Sequence, residues 1–203
     1  MEELGGGGHQ TVAGVQLDNM RAADIEPQII ALAKKLRVQG FDWRALFKTY
    51  LLKDCNNEWE YYSHVVNIAM MLKSEALWSL FDDIDAEEFA DLALEYLDEK
   101  HGMATGHFSG DENLSGNSPI QGAELCSIVE LMYSLEILEQ VTGKTIYRDQ
   151  LEKLAFNALP SACTNDMWAH QYDNQVNAPF IKRNDVHPWT TNGPESNIYG
   201  LEP

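Results

Sequence analysis

Apolar residues recur at helical spacing through most of the chain. In the first amphipathic segment the apolar stripe consists of Ile25, Ile29, Ala33 and Leu36. Asp24 precedes this stripe as a candidate N-cap and Gly40 follows it as a stop, so the pattern predicts a helix over residues 24–40. Asp42 is placed in the same way before a shorter helical segment, residues 41–52.

Longer segments continue the helical pattern. Residues 61–81 are almost continuously apolar, which predicts a long helix that is buried on more than one side. Amphipathic helices are predicted at 85–102, 123–143 and 147–162. Strand-like patterns are nearly absent before about residue 167. The sequence therefore predicts an all-α protein of stacked antiparallel helical hairpins, either a bundle or part of an (α/α)6 toroid.

The composition suggests where the domain begins and ends. Residues 1–23 contain a run of glycines, which has high backbone entropy and no side chain to pack, so we expect a flexible lead-in. Residues 24–203 are expected to form one domain that is cut short at its C-terminus, because the last residues read as an aromatic-bearing loop. An open half-toroid would expose apolar faces such as Val65, Ile68 and Leu72, which favours self-association.

Charge limits the classes of partner. The chain has 14 basic and 32 acidic side chains and a net charge of −18. Such a field repels phosphate, so nucleic acid and anionic membranes are not expected partners. No apolar run approaches the roughly 20 residues that span a bilayer, and the N-terminus lacks the pattern of a signal peptide. Three widely spaced cysteines do not form a disulfide framework, which favours a cytoplasmic location, with secretion left open.

Glu124 and Cys126 lie two residues apart where a loop enters a strongly apolar helix. In a regular helix they would point about 200° apart, but in an extended or first-turn conformation they can converge. A thiol at a helix N-terminus is favoured as thiolate, the form that binds metals or attacks carbon. The alternative is that Cys126 is a small buried apolar residue.

Asp111 and Glu112 are adjacent carboxylates in a loop of Gly, Ser and Asn. Such residues are usually solvated or cap a helix. A partly buried carboxyl near another negative charge keeps its proton to higher pH, and glycoside hydrolysis needs such a group to protonate the leaving oxygen. The loop position favours these two residues over Glu130, which lies one turn into the helix, as proton donors.

The remaining polar candidates suggest carbohydrate binding. His64 lies inside the apolar segment 61–81, where it is either a hydrogen-bonded core histidine or a contact for a sugar hydroxyl. Between residues 166 and 175, aromatic, imidazole and amide groups are dense. If this segment is extended, alternate side chains lie on one side, which would group Trp168, His170, Tyr172 and Asn174. Gln171 is adjacent to them in the chain. Aromatic rings beside amides are typical of sugar sites.

Residues 110–177 resemble the catalytic domain of the β-L-arabinofuranosidase-type glycoside hydrolases. The segment GAELCSIVE is similar to that family's E-x-C motif, LEKLAFNALPSA is similar to its following helix, and HQYDNQVN follows in the same order. The resemblance extends from about residue 25 to the C-terminus. It implies an (α/α)6 barrel and retaining cleavage of an L-arabinofuranoside or a related furanoside in plant-type glycans.

The resemblance also implies site residues. In the family, zinc is held by one glutamate and three cysteines, one of which is the nucleophile, and a separate glutamate is the acid/base. Glu124 and Cys126 match the first two zinc ligands, whereas no Cys-Cys pair occurs in this chain and Cys163 matches no ligand. The family's acid/base glutamate aligns with Phe108, so Glu112 is the nearest candidate and Asp111 its competitor. His64 resembles a position that contacts the sugar.

Three functions therefore remain open from the sequence. The first is a glycoside hydrolase catalytic fragment, inactive alone because its Cys-Cys pair is missing. The second is a non-catalytic carbohydrate-binding or scaffold domain. The third is a lyase or epimerase on an α/α toroid, which would share the fold and the acids but not the zinc.

Overall fold

The structure is a computed structural model. It describes residues 21–49, 62–168 and 170–176, and the backbone of short strands at 7–8, 13–14 and 201–202. The chain divides into two compact units, residues 1–41 and 42–203. None of the helices in the described ranges is long and apolar enough to cross a membrane.

The first unit contains one long helix. Strands β1 (Gly7–Gly8) and β2 (Ala13–Gly14) pair antiparallel, and helix α1 spans Ala22–Gln39. The helix ends at Gly40 as expected, but Asp24 is not its N-cap. It lies in the first turn, where its carboxylate pairs with Arg21 at 2.8 Å. The expectation of a flexible lead-in at residues 1–23 falls largely outside the described residues.

The second unit is predominantly helical, which confirms the all-α class. Its helices are α2 (Trp43–Thr49), α3 (Val65–Met71), α4 (Ser74–Ser79), α5 (Glu88–His101), α6 (Leu125–Thr142), α7 (Thr145–Lys153) and α8 (Leu159–Ser161). A π-helical turn, Leu154–Ala158, joins α7 to α8. Asp42 caps α2 as predicted, because its Oδ1 accepts a hydrogen bond from the Ala45 amide at 2.9 Å.

The single helix predicted over residues 61–81 is wrong, because the chain forms α3 and α4 with a break around Lys73. Side chains satisfy the carbonyl groups at the end of α3. Ser134 of α6 donates to the Ala69 carbonyl at 2.6 Å, and the Lys73 ammonium donates to the Met70 carbonyl at 3.0 Å. A helix stops readily where its last carbonyls have such partners.

Helix α6 is the centre of the core. It packs against α3 and α7, and Ile128, Leu131, Leu135 and Leu138 are fully buried along one stripe. The expectation that an open structure exposes Val65, Ile68 and Leu72 is wrong, because all three are fully buried. Because these side chains are covered within the protein, they do not provide the exposed apolar faces from which self-association was inferred.

A small sheet interrupts the helices, and three of its four strands lie before residue 167, where the sequence predicted none. Its strands run in the order β4 (Asn113–Leu114), β3 (Gly110–Asp111), β5 (Gly122–Glu124) and β7 (Asp173–Gln175). β3 pairs antiparallel with β4 and parallel with β5, and β5 pairs antiparallel with β7. Strands of two or three residues are too short to show alternation, which explains why the pattern missed them. A second pair joins β6 (His170–Gln171) to β8 (Leu201–Glu202).

Two glycines allow the sheet to pack closely. A Cβ on Gly110 would lie 2.1 Å from Val65 Cγ1, and one on Gly122 would lie 2.1 Å from Asp111 Oδ1. Both distances are far below van der Waals contact. The first glycine therefore lets β3 approach α3, and the second lets the Asp111 carboxylate lie over β5.

Two buried histidines lie beside this sheet. The Nδ1 of His101 accepts a hydrogen bond from the Gly116 amide at 2.9 Å. His107 lies 3.2 Å from the Ser127 hydroxyl and stacks on Phe108. Burial lowers the pKa of each imidazole to about 4, so both are neutral in the folded protein at neutral pH.

We predict that His107 makes the protein less stable in acid. The unfolded imidazole has a pKa near 6.5 and the folded one about 4, so the unfolded state binds the proton first as the pH falls. Between about pH 7 and about pH 4, the unfolding free energy of the wild type should therefore fall by about 3 kcal/mol more than that of His107→Gln. Urea titrations across this range measure the difference.

The parallel variant is His101→Gln, which removes the other buried imidazole of lowered pKa. It should reduce the loss of stability in acid in the same direction. Identical acid-side slopes for His107→Gln and wild type would contradict the prediction.

Candidate functional site

Four residues from four separate segments meet beside the small sheet. They are His64, immediately before α3; Glu112, between β3 and β4; Glu124, at the end of β5; and Tyr172, between β6 and β7. We call this group the carboxylate cluster. All four were candidates from the sequence, and the structure brings them together.

The contacts within the carboxylate cluster are short. The Tyr172 hydroxyl oxygen lies 2.6 Å from Glu112 Oε1 and 3.1 Å from Glu124 Oε1. His64 Nε2 lies 3.3 Å from Glu112 Oε2 and 3.9 Å from Glu124 Oε2. Each carboxylate therefore directs one oxygen to the phenol and the other towards the imidazole.

Main-chain hydrogen bonds hold these segments in place. The Val65 amide donates to the Glu112 carbonyl at 2.9 Å, and the Leu114 amide donates to the Ser63 carbonyl at 3.1 Å. These bonds fix the turn between β3 and β4 against the start of α3. On the other side, the Leu125 amide donates to the Tyr172 carbonyl at 2.8 Å. The side chains are thus placed by backbone, which favours a preorganised site.

Glu112 has an unusual backbone conformation. Its φ is +73°, in the left-handed region that costs a non-glycine residue free energy. Its side chain is 25% exposed and that of His64 19%, whereas that of Glu124 is 2% exposed. The cluster therefore opens to solvent on the side of Glu112 and is closed behind Glu124.

The environments of the two glutamates differ. A hydrogen bond from His64 lowers the pKa of Glu112, and the same contact raises the pKa of His64. Burial and then the charge of Glu112 raise the pKa of Glu124. Burial and then the hydrogen bond to Glu112 raise the pKa of Tyr172, which therefore stays protonated. When the two glutamates share one proton, Glu124 holds it and Glu112 is ionised.

Tyr172 connects the two carboxyl groups. A phenol has one hydrogen, so it donates to one acceptor at a time and accepts with its oxygen. The shorter contact identifies Glu112 as the acceptor. A protonated Glu124 can then donate to the phenol oxygen across 3.1 Å. This arrangement allows a proton to pass between the glutamates through one hydroxyl group.

Asp173, which was not a candidate from the sequence, lies next to Glu124 on the neighbouring strand. It is fully buried and pairs with Glu124 across β5 and β7. Neither of its carboxylate oxygens has a hydrogen-bond partner among the described residues. Burial and then the charge of Asp111 raise the pKa of Asp173 to about 9, so it is protonated at neutral pH. The sequence carried no signal for this, because the pairing of β7 with β5 is a long-range contact.

Cys126 follows Glu124 in the first turn of α6, as expected. Although the residue as a whole is exposed, the pKa of its thiol is raised to about 12, by desolvation and then by the charge of Glu124. The expectation that the helix N-terminus favours thiolate is therefore wrong for the metal-free protein, because desolvation of the thiol and then the neighbouring Glu124 carboxylate outweigh the dipole. Glu124 and Cys126 as zinc ligands stay a prediction.

The aromatic and amide segment is divided between two places. Tyr172 reaches the carboxylate cluster, whereas Trp168 is 82% exposed. His170 and Gln171 lie on β6, which pairs with β8, and Asn174 lies on β7, which pairs with β5. The predicted common face of Trp168, His170, Tyr172 and Asn174 is therefore wrong, because the chain changes partner strand at Tyr172.

Gln171 and Asn174 border a polar cavity of about 400 Å³. Its other lining residues are Ala104, Thr105, Asn157, Ser161, Gln175 and Val176. None of the lining side chains is ionisable. This cavity is bordered by residues other than those of the carboxylate cluster.

Asp111 is placed differently from its neighbour Glu112. Its Oδ1 lies against Gly122, on the face of β5 that also carries Glu124, and its charge acts on Asp173. Of the two adjacent carboxylates, Glu112 is the one within reach of Tyr172 and His64.

No family model matches the chain, and no curated protein matches it significantly. The geometry of the carboxylate cluster is therefore the observation from which a function can be inferred.

We predict that glycine is favoured over alanine at position 112. Glu112→Gly and Glu112→Ala both remove the carboxylate, but only alanine keeps a Cβ at a φ of +73°. The glycine variant should be more stable by about 1 kcal/mol, since the left-handed conformation penalises a Cβ. Thermal or urea unfolding of the two variants measures this difference.

Asn113 provides the matched control. It is adjacent, lies on β4 and has no positive φ. There the order should reverse, with Asn113→Ala more stable than Asn113→Gly. If Glu112→Ala is as stable as Glu112→Gly, the backbone at position 112 is not strained.

Proposed function

We propose that the chain forms part of the sugar-cleaving site of a retaining glycoside hydrolase, acting on an L-arabinofuranoside or a related furanoside, within an (α/α)6 toroid. Glu112 is the proton-transfer residue. The observation that supports this most is the convergence of Glu112 with Glu124, Tyr172 and His64. Glycoside hydrolysis needs a carboxyl group that exchanges protons at the scissile bond, and Tyr172 and His64 hold the partly exposed Glu112 carboxyl group in place.

Glu112 is suited to touch the substrate because its side chain is partly exposed, whereas Glu124 is buried behind it. Because His64 lowers the pKa of Glu112, this carboxylate must first receive a proton through the Tyr172 hydroxyl before it can protonate the leaving oxygen. In its ionised form it then acts as the base and takes a proton from the attacking water. Tyr172 bonds Glu112 Oε1 and holds its carboxylate in one orientation. His64, also partly exposed, lies beside Glu112 Oε2, where its imidazole can bind a sugar hydroxyl.

The zinc that the resemblance implies would be held by Glu124 and Cys126. A carboxylate oxygen and a sulfur are donors that zinc accepts, so the pair fits part of a four-ligand site. A bound ion would keep the sulfur as thiolate, which is the nucleophilic form. Other ligands would come from outside the described residues.

A second candidate function is carbohydrate binding without cleavage. The polar cavity of about 400 Å³ favours it, because amide and hydroxyl side chains line the cavity and bind neutral hydroxylated ligands. In that case sugar binding would survive Glu112→Gln and no substrate would be turned over. Asn174→Ala, which changes the cavity, would weaken binding instead.

We predict that Glu112→Gln in the full-length protein discriminates between leaving groups. Loss of the proton donor should lower kcat on alkyl or sugar furanosides by about 10²–10⁴-fold. Activated aryl furanosides, whose leaving groups need no proton, should be affected far less. Steady-state kinetics on both substrate types measure the contrast, and NMR of the first product shows whether the anomeric configuration is retained.

Glu130→Gln is the matched control. Glu130 lies on α6, where it pairs with Lys73 at 3.5 Å and is not part of the carboxylate cluster. It should leave the ratio between the two substrate types unchanged. An equal loss on both substrates for Glu112→Gln would assign Glu112 to ground-state binding and contradict its role as proton donor.

A further inference from the structure

We propose that His64, Glu112 and Glu124 form a binding site for a divalent transition-metal ion of the zinc class. Each residue offers one ligand atom, and the three atoms lie within 4.8 Å of one another. This ligand set differs from the Glu124–Cys126 pair that the resemblance implies. The proposal does not depend on glycosidase activity.

The spacing of the ligand atoms fits a small ion. Zinc lies about 2.0–2.2 Å from nitrogen and carboxylate ligands, so tetrahedral donors are roughly 3.3–3.5 Å apart. His64 Nε2 is 3.3 Å from Glu112 Oε2 and 3.9 Å from Glu124 Oε2. The distance between the carboxylate oxygens is within 4.8 Å, so side-chain adjustments of up to about 1 Å would bring the donors into place.

The Oε2 atom of Glu124 supplies an independent reason for a ligand. The Glu124 side chain is 2% exposed, and its Oε2 has no hydrogen-bond partner in the part of the chain that is described. A buried carboxylate oxygen without a partner is costly. The same oxygen faces His64 Nε2, so an ion between them would satisfy it.

Tyr172 orients both carboxylates for this role. It contacts Oε1 of Glu112 and Oε1 of Glu124, which leaves the Oε2 atoms directed towards His64. Such outer contacts to ligating carboxylates are a usual feature of metal sites. Imidazole with carboxylate favours transition ions over calcium or magnesium, which prefer all-oxygen sites.

Three protein ligands leave a fourth position for water or another molecule. The partial exposure of His64 and Glu112 gives an ion a path into the site. An ion bound to Glu112 Oε2 would compete with a proton for that carboxylate. If Glu112 is the proton donor, turnover should therefore fall as the site is filled.

The test is calorimetric titration of metal-free protein with Zn²⁺ and Co²⁺, without substrate. We expect one ion per chain, with affinity lowered at least about 100-fold in His64→Gln and in Glu112→Gln, because each removes a direct ligand. His170→Gln should bind as wild type does. Cys126→Ser decides between this ligand set and the Glu124–Cys126 pair, and unchanged affinity in that variant is the result expected for His64, Glu112 and Glu124. The bound Co²⁺ should show visible bands without a thiolate-to-cobalt charge-transfer band.

Several results would overturn the proposal. The first is that the wild type does not bind the ion. The second is that neither His64→Gln nor Glu112→Gln weakens binding. The third is that Cys126→Ser loses binding and the wild type shows a thiolate charge-transfer band. Circular dichroism checks that each variant is folded, and the two ligand variants are independent of one another. The leaving-group dependence of Glu112→Gln turnover tests the proposed function separately from metal titration, so either proposal can fail alone.

Discussion

The burial of the Glu124 carboxylate is the constraint on which the site depends. A carboxylate removed from water is costly unless other groups compensate. Here the compensation comes from Tyr172 at 3.1 Å and from a raised pKa that favours the neutral form. β7 must therefore pair with β5 to deliver the phenol. The turn that carries Glu112 must lie against the start of α3 to deliver the second carboxylate beside His64.

The site is rigid because α6 belongs to both the site and the core. The helix begins immediately after Glu124, and its buried stripe packs against α3, which itself begins immediately after His64. Two members of the carboxylate cluster are thus attached to the same helix–helix interface. The left-handed backbone at Glu112 is maintained by bonds from that framework, a cost typical of functional positions.

Chemical patterns in the sequence identified much of the candidate site. Glu112, Glu124, His64 and Tyr172 were all selected, because polar groups inside apolar or Gly-rich segments are unusual. Their grouping could not be predicted, since it depends on pairings between segments far apart in the chain. Trp168 and Asn174 were assigned to the same surface as Tyr172, but Trp168 is exposed and Asn174 borders the polar cavity instead. Asp173 was missed because only the β5–β7 ladder reveals its burial beside Glu124.

The sequence by itself determined the helices, because a 3.6-residue apolar period is a local property that each segment carries. It also placed the ends at Gly40, Gly102 and Gly143, where each helix stops. The tertiary structure alone decided the break near Lys73, the short strands and the charge states of the carboxyl groups. Each of these depends on which group lies across from which, and burial and Coulomb interactions are set by that proximity in space.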